Sequence, residues 1–532
     1  MEAENGDWKN GSTNAPDELA EHISKKKNSG DASACSILLN AIPGDLNMSS
    51  SSSLAELSAR NLPEWYDDAK FGIFIHWGAF AIPGFAPRLG SIGEAFAKDY
   101  DRAVAMVPYT EWYWNATKVE GSPSAEFHKA NYGDAPYTDF KQQFEDGLKD
   151  WDPAAWAEAF RDSGARYVVL VTKHHDGLSL WPSDIENPHE KNWHTSRDIV
   201  GELAAAVRAA GMRFGVYYSG GIDWTFNRRP IRTLGDFLSS TPGGDYPAYA
   251  MAQVRELIDK YEPSLLWNDI SWPTPSKSLY QLFADYYSAV PDGVVNDRWV
   301  AASLPRNLLK IPLVRKLIDW KLKSVLSKRS GEESKGIIPP PVPHSDFRTP
   351  EYAAFAEIQV KKWEATRGMS HSFGFNRNDT EADYASAEEL LHDFIDAVSR
   401  NGNLLLNVGP RGTDGGIPNE QLRRLKQFGK WLRANGDAIY GTRPWTQSDG
   451  ETEAGQAVRF TTSPGRVNLI FKGPVWSTQL LVKDLKLAGE ALRLDDASPV
   501  TLEQRGADML LTFNSACSNK IATAVSVAVS GS

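Results

Sequence analysis

From Trp65 onward the chain alternates two kinds of apolar pattern. Short continuous apolar runs predict strands at 71–77, 167–172, 213–219, 264–268, 294–297, 371–375 and 404–408. Runs without alternation are how strands covered on both faces read. Amphipathic stretches lie between them. Asp152 is a good N-cap with Pro153 at the first helical position, and Gly164 stops that helix. A second helix at 199–210 is closed by Gly211, and 249–260, 279–289, 387–399 and 420–434 repeat the scheme. The alternation predicts an α/β fold, a parallel sheet closed as a (β/α)8-like TIM barrel, with any active site at the C-terminal strand ends.

The period changes after Tyr440-Gly441-Thr442-Arg443-Pro444-Trp445. Short strands at 458–462, 467–471, 479–482 and 509–513 predict a small C-terminal all-β sandwich over 445–532. Residues 1–60, rich in Ser, Asn, Gly and charge, read as a disordered tail, which leaves 61–444 for the barrel. Within the barrel, 301–344 fits neither pattern. It carries Val314, Ile318, Leu322 and Val325 at helical spacing, with Arg315, Lys316, Lys321 and Lys323 elsewhere on the turn, and ends in Pro339-Pro340-Pro341. This inserted basic helix is expected to dock on the barrel side; membrane or partner-subunit contact is the alternative. A helix leaving Leu317, Ile318, Trp320 and Leu322 in water would be adhesive, so these are expected to be covered by the barrel rim or by a second subunit.

Composition narrows the function. Asp plus Glu is 68 against 57 for Lys plus Arg, a net charge of −11, which argues against nucleic acid as the main partner. No run of 18 apolar residues predicts a membrane span. Two cysteines, Cys35 and Cys517, exclude a disulfide scaffold and a Cys-based metal site. A secretory leader would need an early basic and apolar pair of segments. The nearest match, Lys25-Lys26-Lys27 before Ser36-Ile37-Leu38-Leu39, starts late and is cut by Asn40, so the expected location is cytoplasmic, with secretion as the alternative. Met48 is a second plausible start. A homo-oligomer stays open.

Polar and aromatic residues gather where the predicted strands finish: His76-Trp77, Lys173-His174-His175-Asp176, Tyr217-Tyr218-Ser219, Trp267-Asn268-Asp269 and Asn296-Asp297-Arg298. Core packing alone does not produce five such endings, so a polar site is expected there. A metal held by His76, His174 and His175 is one reading, but adjacent residues on a strand point oppositely and no H-E-x-x-H or H-x-x-E-H occurs. Neither a glycine-rich phosphate loop nor a G-x-S-x-G nucleophile elbow is present. Sugar chemistry fits the inventory: His, Tyr and Arg bind hydroxyls, Trp stacks on a ring, and two carboxylates react. Asp269, at the end of a buried strand between Trp267 and Trp272, is either such a carboxylate or a helix cap or partner of Arg298.

These strings resemble the α-L-fucosidases of glycoside hydrolase family 29. The likeness runs from Lys70-Phe71-Gly72-Ile73-Phe74-Ile75-His76-Trp77-Gly78 through Thr172-Lys173-His174-His175-Asp176-Gly177, Leu266-Trp267-Asn268-Asp269 and Val295-Asn296-Asp297-Arg298-Trp299. It continues in Trp363-Glu364 and Ser372-Phe373-Gly374-Phe375-Asn376 and ends in Asn403-Leu404-Leu405-Leu406-Asn407-Val408-Gly409-Pro410. The resemblance implies a retaining, metal-free and cofactor-free hydrolase of fucosylated glycans. It implies Asp269 as nucleophile; His76, His174, His175, Tyr217 and Arg298 on the sugar hydroxyls; Glu111 and Trp112 as a further contacting pair; and Trp267 near the fucose methyl. Asp346-Phe347-Arg348-Thr349-Pro350-Glu351 resembles the stretch carrying the acid/base, which implies Glu351. Glu332, Glu333 and Glu357 are rivals in reach along the sequence. A lectin-like fucose binder would lose a carboxylate, and a barrel glycosidase for another deoxy or galacto-configured sugar is the other alternative.

Overall fold

A computed structural model describes residues 51–88, 99–303, 307–326, 337–517 and 521–529. Seven parallel strands form the first sheet: β1 (Phe71–Ile75), β2 (Tyr167–Lys173), β3 (Arg213–Ser219), β4 (Leu265–Asp269), β5 (Val294–Val295), β6 (Trp363–Arg367) and β7 (Gly402–Val408). Their order is β5-β4-β3-β2-β1-β7-β6. The two edges are joined by residues 346–351. Asp346 N donates to Val295 O at 2.9 Å, and Arg348 and Glu351 form parallel bridges to Trp363 and Thr366. That segment is the eighth stave and closes the barrel.

Strand period two then sorts the core into layers. Phe74, Tyr167, Val169, Val171, Tyr217, Leu265, Trp267, Phe347 and Leu405 share one cluster inside the barrel. The alternate residues Phe71, Ile73, Val168, Leu170, Val216, Leu266, Leu404 and Leu406 join the larger cluster under the helices. Gly72 is required by this filling: a Cβ there would stand 2.4 Å from the Tyr167 ring. The inward parity carries on to the C-terminal ends, so His76 follows Phe74, Asp269 follows Trp267 and Asn407 follows Leu405.

Helices cap as their sequences predict. Asp152 accepts from Ala154 N and Ala155 N at the start of Pro153–Asp162, and Gly164 follows with φ +92. Ile199–Ala209, Tyr246–Tyr261, Ser276–Ala289, Ala387–Ser399 and Asn419–Asn435 supply the other long helices of the predicted scheme.

The C-terminal strands are β8 (Arg443–Glu451), β9 (Ala457–Ser463), β10 (Arg466–Lys472), β11 (Gln479–Val482), β12 (Ala491–Arg493), β13 (Pro499–Arg505), β14 (Asp508–Phe513) and β15 (Ala522–Ala528). They make one antiparallel sheet ordered β11-β14-β13-β12-β15-β10-β9-β8. Val467, Leu469, Phe471, Val525 and Val527 face its own core, while Ile470, Ala522 and Ala524 face the barrel.

Several expectations need correction. The strand expected at 371–375 is instead β6, eight residues earlier, because its inward positions Glu364 and Thr366 are polar and hide the apolar run. Residues 371–375 form a loop over the site. The helix Ser51–Ser58 falls inside the stretch read as a tail, and Leu57 is buried in the main core. Residues 1–50 of that tail, and Glu332 and Glu333, lie outside the described residues. The inserted helix spans Pro312–Leu326 and docks through its polar side. Asp319 Oδ1 accepts from Gly235 N and the Tyr100 hydroxyl, each at 2.9 Å. Leu317 and Trp320, expected to be covered, stand 64% and 70% exposed.

Candidate active site

The pocket is assembled from strand ends and the loops after them. Arg298, just past β5, organises its charge. One terminal nitrogen, Nη1, donates to Asp269 Oδ1 at 2.9 Å; the other, Nη2, donates to Glu351 Oε2 at 3.0 Å. One guanidinium therefore holds the two carboxylates side by side. Two further donors are tied to Thr349, Nε to Oγ1 at 3.1 Å and Nη2 to the carbonyl at 3.2 Å. Glu357 is exposed and takes no part.

Asp269 also accepts from Tyr217 OH at 2.9 Å and from Ile270 N at 2.9 Å. Three donors face it. Glu351 receives a further bond from Tyr109 OH at 3.2 Å. Burial pushes the Glu351 carboxyl above its ordinary range, although Arg298 pulls the other way. Each carboxylate is followed by a residue in the left-handed region, Ile270 at φ +69 and Tyr352 at φ +48. Such conformations cost on the order of 1–3 kcal/mol for non-glycine residues and cluster at functional sites.

The histidines are buried and neutral. His76 Nδ1 lies 2.6 Å from Asn407 Oδ1, while Asn407 Nδ2 donates to Phe373 O at 2.5 Å. That second bond fixes the amide, so Oδ1 must accept from His76 Nδ1–H and Nε2 is left as an acceptor. His175 follows the same logic. The Ser219 hydroxyl spends its proton on Ile222 O at 2.7 Å, so it accepts from His175 Nδ1–H at 2.6 Å. Burial lowers His76 to about 3 and His175 to about 4. A register shift between Val171 and Lys173 ends β2 irregularly, and His174 and His175 follow it with ring centroids 4.1 Å apart. His174 stacks on Tyr217 at 5.5 Å, and its Nδ1 is buried without a partner among the described residues. Beneath it, Lys173 Nζ pairs with Asp223 at 2.7 Å, both fully buried.

Aromatic rings shape the walls. Trp267 stacks on Tyr217 at 5.4 Å, lies 4.8 Å under Arg298 Cζ, and donates to the buried Glu364 at 3.3 Å. Trp112 meets His175 edge-on at 5.0 Å. Glu111 is buried, accepts from Gly374 N at 3.1 Å, and is pushed up to about 7 by burial. Its tie to Gly374 and the His76–Phe373 ring contact at 4.9 Å bring the 371–375 loop over the pocket.

All ten residues singled out in the sequence thus lie in one constellation. Four contributors were given no individual role: Tyr109, Ser219, Asn407 and Phe373. Ser219, Asn407 and Phe373 lie in quoted strings and Tyr109 stands two positions before Glu111; the partners that define their roles are distant in sequence.

A family profile described as Alpha-L-fucosidase matches residues 44–437. The chain is 34% identical over 418 residues to an alpha-L-fucosidase of Branchiostoma floridae, covering 75% of this chain and 77% of that one. It is 32% identical over 413 residues to an alpha-L-fucosidase of Dictyostelium discoideum, covering 73% and 74%. Among solved structures, a Thermotoga maritima alpha-fucosidase in complex with fucose superposes with a TM-score of 0.72 at 37% identity, covering 89% of this chain and 98% of that one.

Proposed function

This chain belongs to the alpha-L-fucosidase family, and on that premise we propose that it is a retaining exo-acting α-L-fucosidase, releasing terminal L-fucose from fucosylated oligosaccharides or glycoconjugates. The observation that carries the mechanism is the Arg298 bridge between Asp269 and Glu351. Retention needs two carboxyl groups about 5–5.5 Å apart, with one free to attack carbon.

Asp269, surrounded by donors, is the nucleophile. Its oxygen attacks the anomeric carbon as the glycosidic bond breaks, and Glu351 gives its proton to the departing oxygen. Burial of Glu351 supports the acid role, because it favours the protonated form. Glu351, now ionised, takes a proton from water; that water attacks the same carbon and expels Asp269. Two inversions restore the α configuration. The acceptor nitrogens of His76 and His175 accept hydrogen bonds from sugar hydroxyls, and His174 Nδ1, without a partner among the described residues, can make a further bond to the sugar. Trp267 and Trp112 supply apolar surface to the sugar, and Glu111 a further polar contact.

The test follows the first product by NMR. Released fucose should be the α anomer; an initial β anomer would overturn retention. Asp269→Ala should abolish turnover in a folded protein, and azide should yield only the inverted fucosyl azide. Glu351→Ala should spare aryl fucosides with good leaving groups more than natural linkages. Equal loss on both would point to another acid.

A further inference from the structure

The inserted helix Pro312–Leu326 shows two opposed faces. Its inner side is tied down by Asp319 to Gly235 N and Tyr100 OH, and by Arg315 to Asp236 at 3.3 Å. Its outer side carries Leu313, Leu317 and Trp320, spaced i, i+4, i+7 in a single stripe, 78%, 64% and 70% exposed. Leu308 and Ile311 extend the apolar surface before the helix begins. Lys316 and Lys321 are exposed and at 100° per residue lie on either side of the stripe. Neither has a carboxylate partner among the described residues. The only acidic residue of the helix is Asp319, which is turned inward.

We propose that this face docks on an anionic lipid surface, with Leu313, Leu317 and Trp320 entering the headgroup boundary and Lys316 and Lys321 meeting lipid phosphates and carboxylates. Charge decides the occupant. The chain carries a net charge of −11, so an anionic surface meets it through its locally basic face, here the lysines beside the apolar stripe. A second copy across a two-fold axis would set these lysines against themselves, and the exposed Asp101 at this flank is already held by Lys323 at 2.7 Å. No helix among the described residues is long and apolar enough to cross a membrane, so the contact lies in the interfacial plane. Lysines beside an apolar stripe suit that plane, since their stems cover apolar surface while the ammonium groups stay wet.

The full chain should be mixed with phosphatidylcholine vesicles with or without phosphatidylserine, then sedimented. It should bind the anionic vesicles and be released by salt. The triple variant Leu313→Ser, Leu317→Ser, Trp320→Ser should lose binding. The pair Lys316→Glu, Lys321→Glu should weaken it by at least about 30-fold, the effect of two lysines at a charged surface. Because these side chains are exposed, both variants should keep the parent's thermal transition and aryl fucoside turnover. Absence of vesicle binding, or full binding by the triple variant, would overturn the proposal. A dimer seen by light scattering and dissolved by the triple variant, without vesicle binding, would assign the face to a second copy instead.

Discussion

His76 and His175 each reach a ligand with one nitrogen already committed, and their burial has consequences with pH. His76 and His175 are lowered by burial to about 3 and about 4, and His344, outside the pocket, to about 4. Above pH 6.5 folded and unfolded forms are both neutral, so these groups add no slope. Below 6.5 the unfolded chain takes up protons that the folded chain refuses. The histidine contribution should therefore fall as pH drops from 6.5 toward 3, by about 1.4 kcal/mol per unit for each group until its folded value is reached. Glu111 and Glu364, raised by burial to about 7, act in the opposite sense, so the check is differential: between pH 7 and pH 4.5 in urea, His344→Gln should lose less stability than the parent, and an equal loss would contradict the burial argument. A sharper test changes Asn407. Asn407→Asp keeps an acceptor on His76 Nδ1 but adds a negative charge, which should raise the His76 value by about 1–3 units. The acid limb of kcat/KM should move up by a similar amount, because a protonated ring donates on both sides and no longer accepts from a hydroxyl. An unmoved limb would show that His76 does not act as an acceptor.

Among the elements, the eighth stave at 346–351 does most to connect fold and site. Its latch is Thr349. The amide and hydroxyl of Thr349 donate to Asp297 Oδ1 at 3.0 and 2.6 Å, and its hydroxyl accepts from Arg298. Thr349→Val conserves shape but leaves a buried guanidinium donor and a carboxylate each short of a partner. It should cost about 1–3 kcal/mol, read as a lowered Tm, and should lower kcat because Arg298 loses one of its ties. Loss of stability with unchanged kcat would separate the latch from the chemistry. This stave also marks where reading the sequence stops. β1, β2, β3 and β7 are continuous apolar runs with little else they could be. The stave instead reads Asp346-Phe347-Arg348-Thr349-Pro350-Glu351, polar at all but two positions, because its side chains serve neighbouring strand ends rather than a core. β6 hides for a related reason, since Glu364 inside the barrel answers Tyr66 and Tyr167 rather than solvent. Asp269 and Glu351 were legible through a family resemblance. Ser219 and Asn407 have roles set by partners that no local pattern shows.

At the scale of the whole molecule, the C-terminal sheet is a buttress for the barrel. Its outer face lays Ile470, Ala522 and Ala524 on the core beneath the helices Ala387–Ser399 and Asn419–Asn435. Trp431 Nε1 donates to Ala522 O at 2.9 Å, and Thr461 donates to Ala438 O at 2.7 Å. Asp396, on the first of those helices, receives both Arg459 at 2.7 Å and Lys472 at 3.0 Å from the sheet. The same helix packs behind β7, whose inward end is Asn407, the residue that orients His76. Sheet and pocket are thus linked through one helix. Shared apolar contacts predict that both units melt in a single calorimetric transition with loss of activity. Asp396→Ala leaves the partly buried Lys472 without its carboxylate and Arg459 with Asp449 alone at 3.1 Å, so it should lower that transition by several degrees, the shift expected of about 1–3 kcal/mol. If the sheet instead melts first in this variant while fucoside turnover persists above its transition, the barrel holds Asn407 and His76 without support from the sheet, and the buttress is only an appendage.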